Sequence, residues 1–163
     1  MTLNTYYKGG STRLKSTFTV ADVATDPTAA ALIVREPDGV KKSYLTDFGF
    51  TNLGSWDADG NSPALADGTG AAGQYYSVSV AGTVNLGSGA QTFAVGDRVF
   101  YDGDVWLVLP APQATALTKE STGVFYFDQF LHEEGSWYYR FEGSGAVHAV
   151  GEKRFDVRSS KFR

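Results

Sequence analysis

The segment TRLKSTFTV constrains this chain more than any other feature. Leu14, Ser16, Phe18 and Val20 fall on one face of an extended chain, and Arg13, Lys15, Thr17 and Thr19 fall on the other. Side chains of a strand alternate between two faces, so this pattern describes a half-buried strand. The alternation recurs. DPTAAALIVREPDGVKKSYL reads as a strand, a turn at Pro37-Asp38-Gly39 and a second strand through Tyr44. GVFYFDQFL reads as a strand, and Glu134-Gly135-Ser136 turns it. WYYRFEG then places Trp137, Tyr139 and Phe141 inward and Tyr138, Arg140 and Glu142 outward. AVHAVGEKRFDV supplies one or two more strands, while TYYKGG near the start is either a short strand or an arm for a neighbouring subunit. No amphipathic helical pattern exceeds two turns.

The composition steps along the chain. Between Thr46 and Ala114 seven acids (Asp47, Asp57, Asp59, Asp67, Asp97, Asp102 and Asp104) face one base, Arg98, a net of −6. The flanks hold the other 13 of 14 bases and 11 of 18 acids, a net of +2. Such a step separates two units. A few strands bury too little apolar area to fold alone, so the two ends must build one sandwich together. The expected architecture is therefore all-β. An immunoglobulin-like β-sandwich comes from residues 1–45 and 115–163, and residues 46–114 form a small β-rich module inserted in, and projecting from, one of its loops.

The centre of the insert is GDRVFYDGDVW. Reading Asp102-Gly103 as a two-residue turn pairs Tyr101 with Asp104, Phe100 with Val105 and Val99 with Trp106. Trp106, Val99 and Tyr101 then share one face, with Phe100 and Val105 on the other. A small module poor in Leu and Ile needs its Trp and Tyr as core, but an exposed aromatic is also what a sugar ring stacks on. Trp56 and Trp106 lean toward core, and Tyr101 is the better candidate for contact. Tyr75 and Tyr76 are adjacent on a strand, so one faces inward and one is available at the surface.

Other chemistry finds little footing. The chain has no cysteine, which removes disulfides and thiolate metal sites. DADGN (Asp57 to Asn61) has Gly60 in fourth place and Gly68 in twelfth, which does not fit a calcium loop and reads as a turn. His132 and His148 stand without a marked nucleophile, and the acids of the insert are more simply turn formers than a hydrolytic pair. No cofactor and no metal are expected. An acidic middle argues against nucleic acid as a partner. No apolar run is long enough to span a membrane, and MTLNTYYKGG lacks the apolar core of a signal peptide. The chain ends in Lys153, Arg154, Arg158, Lys161 and Arg163, a set suited to docking on an acidic partner surface unless it is a solvated last strand.

Two resemblances sharpen these expectations. The steps DPT…L.V..PDG, TGVF and GSWYYRFEGSGAV, in that order, resemble small Ig-like domains of tailed-bacteriophage virion proteins over most of residues 6–45 and 115–157. The core F.VGD.V.Y.G..W (Phe93 to Trp106) resembles a module recurrent in phage tail fibres and baseplates. It is also similar to the small chitin- and cellulose-binding modules of secreted glycosidases. The resemblance implies a structural protein of the phage particle, made in the bacterial cytoplasm and multimeric in the virion. Its partners would be capsid or tail subunits. A capsid decoration role stands ahead of tail or baseplate adhesion to host-surface or environmental glycans. Glycan-binding relatives display a row of exposed aromatics; here only Trp56, Tyr75, Tyr76, Tyr101 and Trp106 could form one.

Overall fold

The structure is a computed structural model and describes residues 5–147 and 150–159, so His148, Lys161 and Arg163 lie outside the described residues. Among those residues every regular element is a strand: β1 (Thr5–Tyr7), β2 (Ser11–Thr17), β3 (Thr19–Val20), β4 (Val23–Ala24), β5 (Ala30–Arg35), β6 (Lys41–Leu45), β7 (Thr51–Asp57), β8 (Gln74–Val80), β9 (Gly82–Asn85), β10 (Ala90–Phe93), β11 (Arg98–Tyr101), β12 (Trp106–Leu109), β13 (Thr118–Ser121), β14 (Val124–Phe130), β15 (Gly135–Gly143) and β16 (Val150–Arg158). The all-β class read from the alternation holds.

The two ends of the chain build two sheets, one ordered β1-β16-β15-β5-β6 and the other β13-β14-β2. They pack face to face on Leu14, Phe18, Leu32, Phe125, Trp137 and Phe141, all buried. In β2 the expected alternation appears residue for residue, with Thr12, Leu14 and Ser16 buried and their neighbours exposed. Within the TYYKGG segment Thr5–Tyr7 form a strand that pairs within this same chain. β1 lies parallel to β16, and the Tyr6 ring meets Phe155 edge-on at 5.3 Å.

Residues 51–109 build a separate sheet ordered β12-β11-β8-β7, with the β9–β10 hairpin beside it. One face of this sheet packs inside the module on Trp56, Val78, Phe93, Val99, Tyr101 and Trp106. The other face packs on the sandwich. Tyr75, Phe100 and Leu109 meet Ala29, Ala31 and Leu45, and Ile33 and Phe50 complete the seam.

Two expectations change here. The module does not project from a loop; it lies flat on the five-stranded sheet and makes a third layer. β5 is therefore covered on both faces, with Leu32 and Val34 turned to one core and Ala31 and Ile33 to the other. The second correction concerns Glu142, assigned to the outward face. It does point away from the sandwich core, but it pairs across strands with Ala31 and lies only 2% exposed in the layered region.

The connections reinforce the layering. The return segment runs beside β6: Gln113 N–H donates to Ser43 C=O, and Leu117 N–H donates to Leu45 C=O. That pairing covers a strand edge that would otherwise be open. The outgoing path is equally tight. A Cβ on Gly49 (φ +80°) would stand 1.8 Å from the Thr28 carbonyl oxygen, and one on Gly73 (φ +90°) 2.1 Å from the Gly49 oxygen. Only glycine permits three backbone segments to stack there.

Candidate functional site

The β11–β12 hairpin differs in register from the two-residue turn. Tyr101 pairs with Trp106, Phe100 with Leu107 and Val99 with Val108. Residues 102–105 form the loop because the Asp102 carboxylate accepts from both Asp104 N–H and Val105 N–H at 2.8 Å. That side-chain bond competes with a tighter turn. The change moves each partner by two residues, so the faces survive: Val99, Tyr101 and Trp106 still lie together. Val105, placed opposite Phe100, is instead in the loop.

That face is closed to solvent. Trp106 is 2% exposed, Tyr101 3% and Trp56 0%. Residues 65–70 fold over them. Asp67 Oδ1 accepts from Trp106 N–H at 2.8 Å, Thr69 C=O accepts from the Trp106 indole N–H at 3.0 Å, and a Cβ on Gly70 would touch the Tyr101 ring at 3.0 Å. Burial pushes the Tyr101 phenol up from its ordinary pKa, and the carboxylates of Asp104, Asp102 and Asp67 add to the shift. Trp56 is fixed through its indole N–H to Asn61 and to the Pro63 carbonyl. Tyr75 is buried in the seam, and the half-buried Tyr76 packs 6.1 Å from Trp106.

The five aromatics thus make no exposed row. This corrects Tyr101 in particular: expected to be a better contact residue than Trp106, it is as buried as Trp106. Sheet alternation suggested one free face, but where these aromatics lie both faces of the four-stranded sheet are covered.

The acids of the insert also have structural duties. Asp57 accepts from Gly60 N–H, which makes DADGN a closed turn. Asp97 accepts from Ala94 N–H and Ala111 N–H, tying the entry of β11 to the return segment. Asp67 and Asp102 hold the loops around Trp106. Among the described residues no group of three His, Cys, Asp or Glu side chains converges as a metal site would require. His132 sits edge-on to Trp137, with Nε2 3.6 Å from Glu36 Oε2, while Lys42 pairs with Glu36 Oε1.

The basic end of the chain divides by strand alternation. Arg154 and Arg158 occupy the face of the five-stranded sheet that looks toward the insert, and Lys153, opposite Tyr139, occupies the other. All three are exposed. Arg154 is held by Asp156 at 3.1 Å and by Ser136, while Ser136 and Arg154 keep the Asp156 carboxyl below its usual range.

Where the insert stops covering the sheet, a cleft of about 190 Å³ opens. Register across β6, β5, β15 and β16 lines up Lys41, Arg35, Tyr138 and Arg154 in one row. The Arg35 guanidinium lies over the Tyr138 ring, 4.1 Å from its centroid. One row further in, Arg140 is gripped by the buried Glu142 carboxylate, Nε to Oε1 2.6 Å. Burial pushes the Glu142 carboxyl up; Arg140 opposes that shift and Asp102 adds to it. Sequence reading missed this row because its members come from four strands between residues 35 and 154. The signal for it was the set of positions opposite Trp137 and Tyr139.

A second, more open groove runs along β14 between Tyr44, Phe127 and Phe130 and the return segment at Gln113 and Thr115. The chain matches no family model, no curated protein and no solved structure.

Proposed function

We propose that this chain is a non-enzymatic accessory protein of a tailed-bacteriophage virion, a capsid decoration protein displayed in many copies. The observation that carries the reading is that the insert uses its tryptophans, Tyr101 and four of its seven acids for structure. Trp56, Tyr101 and Trp106 are core, and Asp57, Asp67, Asp97 and Asp102 are loop staples. What remains is a layered β-block whose outer surfaces are available for docking. The sandwich is read as Ig-like and as the attachment unit, in line with the resemblance of the chain ends to phage virion domains. Many weak copies on a particle bind through avidity rather than through one strong site.

A second reading is a tail, baseplate or fibre-associated protein that adheres to host-surface glycans. The groove along β14 favours it, because the exposed Phe130 ring lines it together with the exposed Gln113 and Thr115, an aromatic and polar mixture suited to sugars. Negative-stain imaging with a gold-labelled antibody separates the two. Label spread over the capsid supports decoration, and label at the tail tip supports adhesion. No label on purified particles overturns both.

A further inference from the structure

We propose that the cleft beside the insert is a socket for an acidic side chain, Glu or Asp, of a partner protein. The inference deepens the accessory-protein reading and rests on it for the partner's identity. The argument begins with charge. Arg35, Lys41 and Arg140 line the cleft against one acid, Glu152. Arg140 already has a counter-ion in Glu142, which fixes the guanidinium in place. Arg35 is held by the ring of Tyr138. A guanidinium braced in this way loses little side-chain freedom when a carboxylate arrives, and its fork matches two carboxylate oxygens.

Shape and lining select the class of ligand. Ile33, Val108 and Pro110 supply the apolar part, suited to the methylene stem of Glu. Among the described residues no Asn, Gln, Ser or Thr side chain lines the cleft to read sugar hydroxyls. The Tyr138 ring has Arg35 over it and Arg154 5.7 Å from its centroid, so it offers no clear platform for a sugar ring. A carboxylate on a short apolar stem therefore fits better than a polyhydroxylated ring. The socket straddles the seam, with Val108 and Pro110 from the end of the insert and the cations from the sandwich. It exists only while the two are packed together.

The test uses the full chain, with acetylated hexaglutamate as probe and hexaglutamine and hexagalacturonate as comparison arms. Backbone amide shifts are followed by NMR at low salt. Hexaglutamate should shift amides on β5, β6 and β12, and binding should weaken as salt rises. Arg35→Gln and Lys41→Gln should each weaken it about tenfold. Lys153→Gln, on the opposite face, should leave it unchanged. Circular dichroism confirms that each variant is folded, and the exposed Lys41 provides the test if Arg35→Gln unfolds. The inference is overturned if hexaglutamate does not bind, if Lys153→Gln weakens binding as much as the cleft variants, or if hexagalacturonate binds the cleft more tightly. Co-sedimentation of wild-type protein with purified particles keeps the two questions apart. Particle binding without hexaglutamate binding defeats the socket alone, and the reverse defeats the virion reading alone.

Discussion

The rings of Trp106 and Tyr101 stand 5.0 Å apart, centroid to centroid, on adjacent strands beneath the Gly70 backbone. In a carbohydrate-binding module such a pair would stack sugars. Here residues 65–70 close over the pair, and the pair anchors the module's own core. That single relationship moves the insert from ligand platform to structural block.

Removing the indole should therefore cost stability. Trp106→Ala is expected to destabilise the protein by about 3–5 kcal/mol, as for a large aromatic deleted from a core. Urea unfolding measures this. A cost under about 1 kcal/mol would mean that the ring behaves as a surface group.

Asp67 should behave as a staple. Asp67→Ala leaves the Trp106 N–H without its acceptor, which should cost about 1–3 kcal/mol. Asp59→Ala, at an exposed position of the same acidic stretch, should change stability by less than about 0.5 kcal/mol. Equal effects would contradict the assignment.

The seam should make the layers unfold together. Phe100 is 1% exposed between the two sheets. Phe100→Ala should cost about 3–5 kcal/mol and split a single calorimetric transition into two. Two transitions already present in the wild type would show that the seam carries little coupling.

Glu142 gives a pH signature. Burial raises its folded pKa above the ordinary 4.5, so the folded state holds the proton more tightly than the unfolded chain does. Its stabilising effect is complete below the unfolded value and is lost as pH rises through the folded one. Asp26, Asp128 and Asp156 have lowered values, and their contribution is instead lost as pH falls. The comparison that isolates Glu142 is wild type against Glu142→Gln. The variant's melting temperature relative to wild type should rise from about pH 4 to about pH 7. A difference independent of pH would contradict the assignment.

Strand alternation made much of the sandwich legible. β2 and the inward set Trp137, Tyr139 and Phe141 follow it directly, because each has one face on a single core. The shared face of Val99, Tyr101 and Trp106 was legible even with the wrong turn, since a two-residue shift preserves the side. The seam was not. Its one sequence signal is the continuous apolar run AALIV in β5, which alternation alone reads as a single half-buried strand but which marks a strand covered on both faces. Glu142 was misjudged for the same reason, because an outward position was equated with water. The parallel pairs β1–β16 and β7–β8 also escaped, since nothing local specifies a parallel partner. The cleft follows from all of these, as its row of cations exists only once four strands are in register.

The most direct test of the proposed role is the amount of this protein in the particle. Virions purified through a density gradient from a lysate of cells that make it should be analysed by quantitative mass spectrometry against the major capsid protein. The decoration reading predicts retention at a fixed ratio corresponding to many copies per particle. Loss of the protein to background level during purification would contradict it.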